Sequence, residues 1–206
     1  MDNRLSISSE NRKRLLANFA MGKTNYWFTF VADTLSALFF LSWEYWHHHS
    51  NLGYIAAAFL LGHALWGLTE YVFHRWVYHE SKGIFMEGHT AHHENPQVLI
   101  AMPWFMTTIT IFSLWYLSAE LLGIPFFSPV AAGWLIGFVG YSLVHHAQHH
   151  WDIRIPWHRK MTAYHNIHHK FPETNFGVTM RYWDNIFGTR FQKTKSESVS
   201  EKTAAL

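Results

Sequence analysis

The sequence predicts an all-α integral membrane protein: four transmembrane helices with a cytoplasmic, histidine-rich helical cap. Three observations carry this. Four long apolar runs are each close to the roughly 20 residues that a helix needs to cross a bilayer core. All 16 Lys and Arg fall before the first run, between the second and third, or after the fourth, as the positive-inside rule requires if both termini and the middle loop are cytoplasmic. Most of the 17 His lie at or beyond the cytoplasmic ends of the even-numbered runs.

Composition agrees. At 206 residues the chain fits one domain, and with no Cys it has neither disulfides nor thiolate metal sites. Charged residues make up 15%, against about 25% in typical soluble domains. The net charge of +2 argues against a nucleic-acid partner. The mean hydropathy of -0.07 averages apolar runs with polar, histidine-rich segments.

Residues 1–25 read as an N-terminal amphipathic segment, in which Leu15, Leu16 and Phe19 beside Arg12, Lys13 and Arg14 suit an interfacial helix. The first span is Tyr26 to Trp43, with one charge, Asp33, which should face the bundle rather than lipid. The break from Trp46 to Asn51 leads to the second span, Leu52 to Phe73, which carries His63 and Glu70. A polar stretch follows, His74 to Pro96. The third span, Gln97 to Ala119, and the fourth, Leu121 to Val144, contain no charge and are separated by Gly123, Pro125 and Pro129. Such runs lack the polar face of a soluble amphipathic helix, and none resembles a cleaved signal peptide. Gly133 and Gly137, four apart, permit close helix approach. Residues 26–190 form the expected catalytic domain. Residues 191–206, rich in Ser, Lys, Glu and Thr, are expected to be a disordered polar tail.

The histidines carry the chemistry. Residues three or four apart share a helix face, so His89, His92 and His93 can converge, as can His165, His168 and His169. His145 and His149 are one turn apart. His74 and His79 are five apart, about 140° around an ideal helix, and share a face only if that helix ends or bends. Neutral imidazole binds Fe, Zn, Cu and Ni, and ten such groups exceed what one ion needs. A structural zinc, with four ligands usually including Cys, explains the count poorly. The carboxylate di-iron pattern has one match, Glu44 with His47, on the other membrane side. An all-histidine dinuclear site at the inner face remains. His146 and His150 neighbour His145 and His149, so the assignment there stays open by one residue. His47, His48 and His49 lie on the opposite side, and His63 reads as a packing residue. Trp76, Trp104, Trp151 and Trp157 read as an aromatic belt.

The segment Glu70-Tyr71-Val72-Phe73-His74-Arg75-Trp76-Val77-Tyr78-His79 resembles the first histidine box of the fatty acid hydroxylase superfamily, which includes sterol desaturases and fatty-acid 2-hydroxylases. His89-Thr90-Ala91-His92-His93-Glu94-Asn95-Pro96 is similar to the second box. Tyr141 to His145, with His149, resembles the third element, and His165-Asn166-Ile167-His168-His169 the last. Asn175 to Gly177 and Trp183 to Thr189 are similar to the closing motif. The resemblance covers roughly residues 55–190. It implies ten metal ligands: His74, His79, His89, His92, His93, His145, His149, His165, His168 and His169. It implies two Fe ions, which zinc can replace, O2, and electrons from a donor. No segment matches a fused cytochrome b5, so the expected donor is a separate cytochrome b5-like or ferredoxin-like protein. The implied reaction is hydroxylation of a lipid C–H near the polar head, in a bacterial inner membrane or the endoplasmic reticulum. Carotenoid ring hydroxylation and sterol desaturation are alternatives of the same type. A metal transporter or haem subunit would place its histidines near the bilayer midplane, where only His63 is expected.

Overall fold

The computed structural model describes residues 9–193, with side chains from residue 15 onward. The regular secondary structure of the described residues is all helical, with no strand. Its elements are α1 (Ser9–Ala20), α2 (Lys23–His47), α3 (Leu52–Val72), α4 (Ile84–Glu94), α5 (Trp104–Trp115), α6 (Phe127–His150), α7 (Pro156–Lys170) and α8 (Tyr182–Ile186). Two π-helical segments, Phe73–Tyr78 and Tyr116–Leu121, extend α3 and α5. Most of the tail expected to be disordered lies outside the described residues.

Among the described residues, two helices are long and apolar enough to cross a membrane: Leu52–Tyr78, which joins α3 to its π segment, and Phe127–His150. They pack tightly because glycines remove side chains from their seam. A Cβ on Gly62 would lie 1.9 Å from the Val130 carbonyl oxygen, and one on Gly133 would lie 1.9 Å from that of Phe59. Gly137 accommodates the Trp66 ring in the same way. The glycine pair at 133 and 137 thus serves packing within this chain.

α2 lies along α6 and buries a polar face that includes Asn25, Thr29, Asp33 and Ser36. Its other face exposes Val31, Leu35 and Leu38. Toward the far end of α2, Phe40 and Trp115 stack at 5.3 Å over Ala131, Ala132 and Leu135 in an apolar core. Trp115 also donates its indole N–H to Ser128.

Several expected boundaries move. The third helix begins at Trp104, not Gln97. Pro103 has no N–H to give and disfavours helical geometry in the residue before it, so residues 97–103 run as a non-helical strap. Asn25 ties this strap to α2: its amide N–H groups reach the carbonyls of Ala101 and Met102, and its oxygen accepts from the Trp104 N–H. The third helix then continues through its π segment to Leu121, and the fourth starts at Phe127 after a turn in which Gly123 takes φ 62°. The second helix continues through His74 to Tyr78 instead of ending at Phe73. Gly83, at φ 102°, makes the reversal into α4 that residues with a Cβ resist.

Candidate metal centre

The π segment brings the first two histidines together. In a π-helix the hydrogen bonds join residues five apart, so the five-residue spacing of His74 and His79 falls on one side. Their rings lie 5.4 Å apart and tilt by 36°. The condition that the α-helix end between or before them is met by one local change of pitch, since α3 gives way to the π segment at Phe73.

Four elements then deliver histidines to one place: the π end of α3, helix α4, the end of α6, and helix α7. They form two groups of five. One is His74, His79, His89, His93 and His168; the other is His92, His145, His149, His165 and His169. Within each group one nitrogen from every ring lies within 4.8 Å of all the others. The ten histidines singled out by the motifs fill both groups without remainder. His146 stays outside, stacked on His150 at 4.3 Å, with its Nδ1 3.0 Å from the Tyr26 hydroxyl. Of the four histidines in the third motif, His145 and His149 enter a group and His146 and His150 do not. His47, His48 and His49 are at the far end of α2, and His63 and His158 join neither group.

The nitrogens fit a cation better than they fit one another. His89 Nε2 lies 3.1 Å from His74 Nε2, 3.0 Å from His79 Nε2 and 3.0 Å from His93 Nε2. His79 Nε2 is also 3.2 Å from His168 Nε2. A neutral imidazole carries one N–H. His74 and His168 spend theirs at Nδ1, donating to the carbonyls of Phe176 and Thr174, so both present bare lone pairs at Nε2. His89, with one proton, cannot satisfy three neighbours. Two nitrogens about 2.1 Å from one ion and at right angles lie about 3 Å apart, which is the spacing seen. In the second group His149 Nε2 is 3.2 Å from His145 Nε2 and 3.0 Å from His165 Nε2, while His169 Nε2 is 3.1 Å from His165 Nε2. His92 Nε2 is buried there with no hydrogen-bond partner.

Burial keeps these rings in the ligating form. It pushes His79 and His93 down to about 4. Burial, reinforced by neighbouring imidazoles, pushes His92 down to about 2. His165 and His89 are lowered for the same reasons. No carboxylate belongs to either group.

Carboxylates act one layer out, a role the motifs alone did not reveal. The segment from Thr174 to Thr179 supplies both carbonyls that orient His74 and His168. Asp184, fully buried, accepts from the N–H groups of Phe176 (2.8 Å) and Gly177 (2.9 Å), from the Tyr164 hydroxyl and from Thr189. Glu70 accepts from the N–H groups of Val178 and Thr179, each at 2.7 Å. Asn175, at φ 57°, donates to the Tyr164 carbonyl and accepts from the Phe191 N–H. A carbonyl holding the second ring nitrogen fixes both tautomer and ring orientation.

A cavity of about 410 Å³ borders both groups, reached by His89 from one and by His92, His145 and His149 from the other. Its other walls come from α1, α2, α4, α5, α6 and the 97–103 strap, and they are mainly apolar, including Phe30, Leu99, Met106 and Phe138. Tyr78 stacks on His89 and Tyr141 on His145, and both line it. Trp76, Trp104, Trp151 and Trp157 do not line it; Trp76, Trp151 and Trp157 are exposed.

Residues 59–189, which hold all ten histidines, match the sequence profile described as fatty acid hydroxylase. The chain belongs to the fatty acid hydroxylase family. Among its relatives in that family, a dihydroceramide fatty acyl 2-hydroxylase of Arabidopsis thaliana is 32% identical over 149 residues, 68% of this chain and 61% of that protein. A ceramide very long chain fatty acid hydroxylase of Saccharomyces cerevisiae is 33% identical over 153 residues, 68% of this chain and 40% of the other. The human fatty acid 2-hydroxylase is 28% identical over 146 residues, 64% and 38% of the two chains. The chain thus spans at most about three-fifths of these relatives' length. A solved structure of full-length Scs7p, in which only the hydroxylase domain is visible, superposes with a TM-score of 0.69 at 27% identity, over 84% of this chain and 69% of that one.

Proposed function

We propose that this fatty acid hydroxylase family member is a di-iron lipid hydroxylase that uses O2 to oxygenate a C–H bond near the polar head of a fatty acyl or related lipid. The observation that carries the reading is two groups of five histidine nitrogens bordering one mainly apolar cavity. His74, His79, His89, His93 and His168 would hold one iron, and His92, His145, His149, His165 and His169 the other. Iron bound there supplies oxygen activation, with O2, two electrons and two protons converting C–H to C–OH and releasing one water. Zinc suits the same nitrogens and can replace iron during expression.

The chain's own residues bind and orient. Phe30, Leu99, Met106 and Phe138 take the acyl chain and exclude water. Tyr78 and Tyr141 hold the rings of His89 and His145 from the cavity side. The carbonyls of Thr174 and Phe176 keep Nε2 of His168 and His74 free of protons. The relatives named for dihydroceramide and ceramide substrates support an N-acylated lipid as the substrate class.

The membrane reading goes with this. α2 and the α5 helix with its π extension join the two long apolar helices as four spans. α4 and α7 close a cytoplasmic cap over the histidine end, and both termini lie on that side. The exposed leucines of α2 and α3 then face lipid. Residues 26–190 form the catalytic domain, and electrons come from a separate carrier of the cytochrome b5 or ferredoxin type.

Untargeted lipid mass spectrometry on host membranes tests the reaction. With substrate and donor supplied, wild type should add one oxygen to a lipid class that His92→Ala leaves unmodified. Loss of two hydrogens would make the enzyme a desaturase. An unchanged lipidome would refute both.

A further inference from the structure

The two helices that close over the histidines differ in the charge of their outer faces. α7, Pro156–Lys170, contains no Asp or Glu. Its buried face includes His158, Met161, His165 and His168, at spacings of three and four. Arg159, Ala163, Asn166 and Lys170 follow the same spacing on the opposite, exposed face, with Lys160 beside Arg159. Arg181 adds to this side, its guanidinium 5.3 Å from the centre of the Tyr164 ring. Among the described residues no acid pairs with Arg159, Lys160 or Lys170. The neighbouring acids are Asp152, 3.5 Å from Arg154, and Glu173, beyond the helix end. α4 is the reverse: it carries Glu87 and Glu94 and no Lys or Arg.

α7 is also a single layer of cover over both histidine groups. It gives His168 to one, and His165 and His169 to the other. A helix with its side chains is about 10–12 Å across, so a redox group resting on the outer face lies about one helix width from either group. Ala163 and Asn166 leave the middle of the stripe low, while Arg159 and Lys170 stand about 16 Å apart along the axis. The histidine face of α7 turns toward the ends of α3 and α6, so the stripe turns away from them. Exposed apolar bulk is confined to the start of the helix, at Ile155 and Trp157. The stripe has none, which suits a water-soluble partner better than a lipid surface.

We propose that the outer face of α7 is the docking surface for the electron donor: a small water-soluble one-electron carrier whose redox group is ringed by acidic side chains. The inference rests on the oxygenase reading of the histidine site and adds where its electrons enter. Each docking oxidises one carrier by one electron. Two dockings supply the two electrons that, with two protons and O2, yield the hydroxyl and one water.

The test is equilibrium binding to the full-length, metal-free protein in phosphatidylcholine nanodiscs. The probes are two acidic carriers, the soluble haem domain of cytochrome b5 and a plant-type [2Fe–2S] ferredoxin. Wild type should bind at least one of them. The triple variant Arg159→Glu, Lys160→Glu, Lys170→Glu should bind it at least tenfold more weakly at low salt, and the gap should close as added salt screens the charges. The swap Arg159→Lys, Lys160→Arg, Lys170→Arg should bind as wild type does. Wild type that binds neither carrier, or a charge-reversed variant that binds as tightly as wild type, overturns the assignment. So does a loss seen only in nanodiscs containing phosphatidylserine, which would give the face to anionic lipid. Turnover of the iron-loaded protein separates this inference from the reading beneath it. With dithionite as reductant the charge-reversed variant should match wild type, which shows that it is folded; with the carrier it should fall as binding does. Carrier binding through this face with no oxygenated product from either reductant refutes the hydroxylase and leaves the docking surface standing. Product with dithionite and no charge-dependent carrier binding does the reverse.

Discussion

His74 donates from Nδ1 to the main-chain carbonyl of Phe176, whose own N–H is held by Asp184. A carboxylate outside the metal groups therefore sets the direction of a metal-facing nitrogen through one peptide unit. Asp184→Asn removes an acceptor oxygen and points an N–H₂ at existing donors. The expected cost is about 1–3 kcal/mol for the unsatisfied groups. Metal should be lost from the first group in preference to the second, whose rings take no carbonyl from this segment. Thermal unfolding and metal content of the purified variant check both statements. A full two equivalents with unchanged stability would contradict them.

Single substitutions in the two groups should behave as independent lesions at first order. His89→Ala lies at the centre of three nitrogen contacts in one group, and His92→Ala removes a buried nitrogen from the other. Each should lower bound metal from about two equivalents to about one, with the protein still membrane-inserted. His146→Ala and His150→Ala should keep both equivalents, because neither ring enters a group. Metal analysis after gentle purification reads the count.

The metal-free protein should lose stability on acidification. Folded His79 and His93 titrate near 4, whereas unfolded histidine titrates near 6.5. Between these values the unfolded chain binds more protons than the folded one, so stability falls as pH drops from about 6.5 toward 4. Above that window the groups are neutral in both states and contribute no slope. Thermal midpoints across that range should fall steadily for the metal-free protein. Metal binding should raise the midpoint at neutral pH, and a chelator should return it.

Gly62 and Gly133 face each other's helix backbones with no space for a methyl group. Gly133→Ala should force α3 and α6 apart and cost about 1–3 kcal/mol. Because those two helices carry His74, His145 and His149 at their ends, the same change should reduce metal retention. Size-exclusion behaviour and metal content measure it. A variant with native stability would show that the helices can shift freely.

Much of this was readable in the residues, for identifiable reasons. Spacings of three and four put His89, His92 and His93 on neighbouring positions of one helix, and the four histidine motifs named the ten residues that form the two groups. What was not legible depends on backbone geometry at particular points. The π segment after Val72 has no local sequence signature, so the five-residue spacing of His74 and His79 left their convergence conditional on the helix ending or bending. Pro103 delays the third helix, and the apolar strap before it mimics a span from Gln97. Glu70 and Asp184 stood in recognisable motifs, yet their work as acceptors for the 174–179 segment is tertiary. The partition of ten histidines into two groups of five crosses the motifs, since His92 and His93 go to different groups.

The central claim is that O2 is activated beside this cavity and one of its atoms enters a lipid. The most direct measurement supplies the iron-loaded protein, an electron donor and an N-acylated lipid with isotopically heavy O2 in ordinary water, and weighs the product. One heavy oxygen in a new hydroxyl, absent in His92→Ala, is the predicted result. A hydroxyl containing light oxygen from water, or no hydroxyl from any lipid offered, would contradict it.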